Sequence, residues 1–426
     1  MTAEIAILNK SAVALAADSA VTLQTPGGHK IYNTVNKLFT LSKYRPVGIM
    51  VYGNSEFMGI PWESIIKEHR RQLGTAERGT LKEYTDEFVS WLEQEKALFP
   101  ESLQNEVVTG TARNYFAQVR DDINAKVTEI LKTSGSIAAD QLVSVVEEIV
   151  ASHEQFWQSK ARLSFFPQDY EQRFLERQRA PLEQVLKEVF EKLSLPKVAV
   201  DRLIGLLPLV FSRDHFQEGA SGIVVAGFGG QEVFPSVFSL VVDALAEGSL
   251  KWKILETAQI GISNAAIIPF AQREMVDTFL TGVDPQYKKI ILESVSRLLQ
   301  QMSDEIFKRI PDALLPKKSE QTAALSAGIP GLVDSLDQLL NAHSQKRHIA
   351  PIMNAVGALP KDELAAMAES LVNLTSFKRR VSIESETVGG EIDVAVISKG
   401  DGFIWIKRKH YFDAGKNPHF MVNYYR

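Results

Sequence analysis

TAEIAILNKSAVALAAD, residues 2–18, is the stretch whose reading decides the fold. Residues 3–8 alternate small or apolar side chains with polar ones at first. Asn9-Lys10-Ser11 supplies a turn, and residues 12–17 return as a mostly apolar run. Turn formers between two runs of strand length predict a β-hairpin buried on at least one face. Residues 38–41 and 47–52 predict a second strand pair joined through Ser42-Lys43-Tyr44-Arg45-Pro46, and Gly53-Asn54-Ser55 breaks the last strand and leads toward helix.

Working outward, residues 61–213 carry a helical signal. Tyr84, Phe88, Trp91 and Leu92 share one helical face, as do Val119, Ile123, Val127 and Ile130. Pro100, Pro167, Pro181 and Pro196 are read as punctuation between these helices. Strand character returns at 221–228, closed by Gly229-Gly230, with a second β stretch at 233–242. Residues 251–268 read as mixed strand and loop. Helices are expected at 271–281, 285–309 and 331–342, with an exposed polar segment at 316–327, and an amphipathic helix follows at 361–376. The chain closes with a hairpin, 392–398 and 403–407, around Gly400-Asp401-Gly402. Strands, then helices, then two strands, helices and a hairpin is an α+β order rather than an alternating βαβ one. Two sheets between helical layers satisfy it.

The 426 residues, 45% hydrophobic and 23% charged, suffice for one large domain or two smaller ones. A net charge of −5 offers no basic footprint for nucleic acid. Cysteine is absent, which excludes disulfides, thiolate nucleophiles and thiolate metal sites and agrees with a reducing compartment. The first residues carry Glu4 and lack the basic start and apolar core of a signal peptide. No apolar run has membrane-spanning length; the longest, 203–211, contains Pro208 and reads as a buried helix or loop. The expectation is a soluble, cytoplasmic protein that engages neither membrane nor nucleic acid.

Metal and cofactor motifs are incomplete. His153-Glu154 opens a zincin-like pattern, but Trp157 stands where the second histidine is needed. His343 and His348 are five apart in a polar stretch, Gly227-Phe228-Gly229-Gly230 is no dinucleotide fingerprint, and there is no phosphate loop. Neither metal nor organic cofactor is expected. The basic runs Lys378-Arg379-Arg380 and 407–410 read as solvated faces, and Phe156, Trp157, Phe165 and Phe166 as one packed aromatic cluster.

Thr2 carries the chemistry. Aminopeptidases that remove Met1 accept small second residues, and removal leaves a hydroxyl and a free α-amine on one residue. An α-amine titrates near pH 8, so a sizeable neutral fraction is a base for its own hydroxyl. If the strands pair as expected, the N-terminus, Asp18, Lys37 and Gly53 converge at one sheet end. An ammonium beside Thr2 would lower its amine and hydroxyl pKa, a carboxylate would hold that ammonium, and a glycine N–H could donate to an oxyanion. Each residue also has a plainer reading: Asp18 as a turn cap, Lys37 as a surface lysine, Gly53 as a strand terminator.

Residues 2–60 resemble a proteasome β-type subunit of the N-terminal-nucleophile (Ntn) hydrolase superfamily. They have an N-terminal Thr, a short hairpin, Leu15-Ala16-Ala17-Asp18, a lysine before Leu38-Phe39 and a strand ending in glycine. Lys37 matches the family's lysine only after a short insertion within 24–33. Val388-Gly389-Gly390-Glu391-Ile392-Asp393-Val394 with Gly400-Asp401-Gly402 resembles the family's C-terminal glycine pair, strand and turn, and residues 221–230 its central strand pair. The resemblance implies an αββα four-layer sandwich with helical insertions. Residues 1–95, 216–285 and 361–426 would form the Ntn-hydrolase domain, 96–215 a helical insertion and 286–360 a partly inserted helical segment. It implies Thr2 as nucleophile and base, Asp18 and Lys37 tuning it, and the Gly53 amide as oxyanion donor, in amide hydrolysis through an acyl-enzyme. It also implies a peptide or protein substrate, a homo-oligomeric ring and, as an open possibility, an ATP-dependent unfoldase. Two departures matter. Pro269-Phe270-Ala271 replaces the family's Gly-Ser-Gly. In Ser385-Glu386-Thr387-Val388-Gly389 the family's serine position is Val388 and its aspartate position Ser385, with Glu384, Glu386 or Thr387 as conceivable substitutes. These losses favour an alternative, a catalytically inactive scaffold or assembly subunit.

Overall fold

Asn9 shapes the first hairpin in the computed structural model, which describes residues 2–25, 28–311, 317–381, 388–410 and 412–425. Its side-chain oxygen accepts the Ser11 and Ala12 amides at 2.9 and 3.3 Å, so β1 (Ala3–Leu8) turns directly into β2 (Ala12–Ala17). A two-stranded ribbon, β3 (Val21–Thr25) and β4 (Gly28–Tyr32), follows within the stretch read only as an insertion. Lys30 and Tyr32 are exposed, with Ile31 half-buried between them. β5 (Leu38–Thr40) and β6 (Val47–Tyr52) pair as expected, and a short ribbon of β7 (Glu56–Phe57) and β8 (Ile60–Pro61) leads into helix.

The helical stretch comprises α1 (Trp62–Leu73), α2 (Leu81–Gln94), α3 (Glu101–Ser134), α4 (Ala139–Ser159), α5 (Tyr170–Val189) and α6 (Lys197–Ser212). Pro181 does not punctuate it but lies inside α5, and the 203–211 run, with Pro208, lies inside α6. A proline in mid-helix costs about 3 kcal/mol. Burial of Phe174, Leu182, Val185 and Leu186 on the same helix outweighs that cost.

Four strands, not two, occupy the middle of the chain: β9 (Ser221–Gly227), β10 (Ser236–Ala246), β11 (Ser249–Gln259) and β12 (Ala266–Ala271). From Trp252 onward β11 alternates half-buried and exposed positions at a sheet edge, with lysine and glutamate among them, and so never shows a continuous apolar face. α7 (Glu274–Thr281), α8 (Pro285–Arg309), α9 (Lys318–Ser344), a π-helical turn at Gln345–Ile349, α10 (Ala350–Ala358) and α11 (Lys361–Val381) follow. The segment expected to be exposed and polar, 316–327, is helical from Lys318. Its alanines favour helix, and Ile329 just beyond is buried. β13 (Asp393–Ser398), β14 (Gly402–Lys407) and α12 (Pro418–Tyr425) complete the chain.

The fold is α+β with two five-stranded antiparallel sheets, ordered β12-β1-β2-β13-β14 and β11-β10-β9-β6-β5. Strand alternation divides the core. Ile5, Ile7, Ala14 and Val394 of the first sheet pack with α7, α10 and α11. Ala6, Leu8, Val13 and Leu15 share a second buried cluster with Met50, Val224 and Ala226 of the other sheet. The second sheet's opposite face, with Ile49, Val51 and Ile223, packs on α1 and α2. Helices α3–α6 bury a cluster of their own that reaches Ala244 and Ala246 of β10. The Asn9 amide nitrogen donates to the Val356 and Leu359 carbonyls at 3.0 and 2.9 Å, tying the first hairpin to the end of α10. Among the described residues, no helix is long and apolar enough to cross a membrane.

Two readings of surface residues are corrected. Lys409 is not on a solvated face: it is buried and ion-paired with buried Asp393, and its amide donates to the same carboxylate at 2.8 Å. The four aromatics form two groups, Phe156 and Trp157 around His215, and Phe165 and Phe166 beside Trp252.

Candidate active site

Thr2 stands one residue ahead of β1 and is buried. By strand alternation it shares a side with Glu4, Ala6 and Leu8, the last two facing the second sheet. Its carbonyl accepts the Gln272 amide at 3.2 Å, an extension of the β1–β12 pairing beyond Ala3↔Ala271. Its hydroxyl oxygen is also buried and has no hydrogen-bond partner among the described residues.

Thr2, Lys37 and Gly53 line one cavity of about 20 Å³, with Tyr52, Asn36 and Trp62 among its walls. That is room for about one water molecule. Lys37 enters just ahead of β5, and its ammonium lies 2.5 Å from Asp18 Oδ1, with 5% and 0% of the two side chains exposed. Asp18 is saturated. Oδ1 also accepts the Ala3 amide at 3.1 Å, and Oδ2 accepts the amides of Ala20 at 3.2 Å and Gly389 at 3.1 Å. The Ala20 contact makes Asp18 a turn cap as well as the ammonium's partner.

Gly53 follows β6 at φ +83°, and a Cβ there would stand 2.9 Å from the Ala220 carbonyl oxygen. Positive φ and a close backbone neighbour together require glycine. One residue back, Tyr52 pairs across the sheet with Gly222, stacks on Phe270 at 5.8 Å and hydrogen-bonds Ser239 Oγ at 3.3 Å. Burial raises its phenol pKa above the ordinary value.

Phe270 and Val388, which replace the family's serines, are both buried in apolar clusters and bring no hydroxyl. Ser385, Glu384, Glu386 and Thr387 lie outside the described residues. The sequence reading missed Glu4, used there only as a charge against a signal peptide. It is buried, and neither carboxyl oxygen has a hydrogen-bond partner among the described residues. Burial pushes its pKa well above the ordinary carboxylate range, against the pull of the Lys37 and Lys409 ammonium groups, while Asp18 adds to the rise. An acidic residue at the second position of an otherwise apolar strand was the available signal. Among the described residues, no three His, Asp or Glu side chains assemble as a metal site would need. A cleft of about 700 Å³ lies against α3 and α4 and contains none of these residues.

Glu4 gives a pH prediction. Its folded pKa is above its unfolded one, so the stability it confers is full below about pH 4.5 and is lost as pH rises through the folded value. Glutamine does not titrate. Glu4→Gln should therefore gain on the wild type progressively as pH rises from 4 to 8. Urea midpoints across that range check this, and parallel curves for the two proteins would contradict it.

No family model matches this chain, and no curated protein matches it significantly.

Proposed function

We propose that the chain is a threonine-type Ntn hydrolase that cleaves peptide or other amide bonds through an acyl-enzyme on Thr2 after Met1 is removed. The observation that carries the reading is the buried Lys37–Asp18 pair, whose lysine borders the same small cavity as Thr2 and Gly53. The helix–sheet–sheet–helix succession of buried clusters supports assigning the αββα Ntn sandwich. A ring of copies, a peptide or protein substrate and a cytoplasmic setting belong to the same proposal.

In this mechanism the freed α-amine accepts the Thr2 hydroxyl proton as Oγ1 attacks the scissile carbonyl. The Lys37 ammonium, fixed by Asp18, favours the developing negative oxygen. The carbonyl electrons move to an oxyanion that takes a hydrogen bond from the Gly53 amide. Collapse breaks the C–N bond, and the leaving amine takes the proton held by the α-ammonium. Water, deprotonated by the same amine, then cleaves the ester and regenerates Thr2.

A second reading, an inactive scaffold, is favoured by the cavity's size, which admits a water and not an amide, and by Phe270 and Val388. An electrophile that closes on both a hydroxyl and an adjacent amine separates the two. Intact mass should show Met1 removed and a single adduct on the wild type. Thr2→Ala should lower the labelling rate on the order of a thousandfold or more. Retained Met1 removes the base and the proposal; Met1 removed with no adduct selects the scaffold.

A further inference from the structure

α8 and α9 form a long antiparallel hairpin. Lys288 Nζ bonds Asn341 Oδ1 at 2.6 Å and Asp337 Oδ1 at 2.5 Å, and Gln300 Nε2 donates to Ser326 Oγ at 2.8 Å. Asp284 caps the start of α8, accepting the Gln286 and Tyr287 amides at 2.9 and 3.0 Å. The hairpin is well built, yet much of its apolar surface is not covered by the other described residues. On α8, Tyr287, Ile290, Leu298, Met302 and Ile306 are all more than half exposed. On α9, Leu325, Leu332 and Leu339 recur every seventh residue, with 48%, 59% and 69% exposure. Ile329 and Leu336, the alternate positions of the same 4-3 pattern, are buried and half-buried.

At about 100° per residue, Leu325, Leu332 and Leu339 on α9, and Leu298, Met302 and Ile306 on α8, lie roughly a quarter-turn from the residues that face the other helix, while Tyr287 and Ile290 lie nearer the far side of α8. Because the helices are antiparallel, the two quarter-turns have the same sense in space, and both rows open on one side. The result is one apolar face across the hairpin. Helices of 25 and 27 residues are about 37–40 Å long, and two abreast give a face of roughly 700–800 Å². That is the footprint of the whole helix pair, and it matches the roughly 800 Å² each partner gives to a stable interface.

We infer that this face binds the same face of a second copy of the chain, building an intermolecular four-helix arrangement. Two antiparallel helices with a seven-residue leucine row fit a copy of themselves under a two-fold axis, where left-handed packing keeps the rows in contact. A two-fold axis through the middle of the face would bring Leu298 and Leu332 near their own counterparts. Strongly charged partners are disfavoured, since the exposed rows are built of Leu, Ile, Met and Tyr.

The test is oligomeric state. The wild type should sediment at micromolar concentration as a dimer or a multiple of one. Leu298→Glu with Leu332→Glu should weaken that association on the order of a hundredfold or more and halve the mass, with circular dichroism unchanged because both positions are exposed. The absence of cysteine makes a second test clean. With a short bis-maleimide, Leu332→Cys should form covalent dimers, and Asp334→Cys, exposed on the opposite side of α9, should not. A monomeric wild type, an unchanged mass in the glutamate variant, or equal cross-linking at the two cysteines would each overturn the inference. None of these outcomes depends on whether Thr2 is reactive.

Discussion

Lys37→Met should destabilise the protein by about 3–5 kcal/mol, because it strands an almost wholly buried carboxylate without its counter-charge. Asp18 would retain three backbone donors, the amides of Ala3, Ala20 and Gly389. Those dipoles do not neutralise a unit charge at 0% exposure. The double variant Asp18→Asn with Lys37→Met removes the charge and should recover part of the loss. Recovery stays incomplete because the amide NH2 of asparagine must oppose at least one of the three N–H donors. Urea unfolding of the two variants gives both numbers. A change below about 1 kcal/mol in Lys37→Met would mean that water reaches Asp18 in solution. The same series separates structure from chemistry: under the proposed mechanism the double variant regains stability and still fails to label at Thr2.

Gly222→Ala should be nearly as damaging, by about 3 kcal/mol, although it adds a single methyl group. Its Cβ would lie 2.0–2.4 Å from three atoms of the Tyr52 ring. Neither side yields easily. Gly222 belongs to β9, in the middle of its sheet, and the Tyr52 ring is held by Phe270 and Ser239. Displacing Tyr52 also moves a wall of the Thr2 cavity, so labelling should fall with stability. Gly205→Ala is the contrast. That glycine sits inside α6 with nothing within 4 Å of its would-be Cβ, and the change should stabilise by about 0.5–1 kcal/mol. Thermal melts of the two variants should move in opposite directions; a Gly222→Ala melt equal to the wild type would show that the ring can swing aside.

The first hairpin was legible because its turn chemistry is local. Asn9 does in the fold what an Asn between two apolar runs announces, and β5, β6 and β13 announced themselves by composition in the same way. The edge strand β11 was legible only as mixed strand and loop, since from Trp252 onward its outward positions carry lysine and glutamate and no continuous apolar face appears. Pro181 misled because tertiary burial of its helix overrode a local preference. Within the site, Asp18 and Lys37 could be named from spacing, but the three amides on Asp18 come from both ends of the chain and only the fold reveals them. Glu4 was visible as an acid in an apolar strand, while its lack of any partner is a fact of packing alone.

The order of strands in the first sheet has a consequence for biosynthesis. β1 and β2 leave the ribosome before the other strands, yet their outer neighbours are β12 and β13, made some 260 and 380 residues later. At about 5–20 residues per second, the earliest ribbon waits roughly 13–52 s with both flanks unzipped, and roughly 20–75 s before the second is paired. Such a delay exposes it to pairing with other nascent chains and makes it a natural client for holdase chaperones until synthesis is nearly finished.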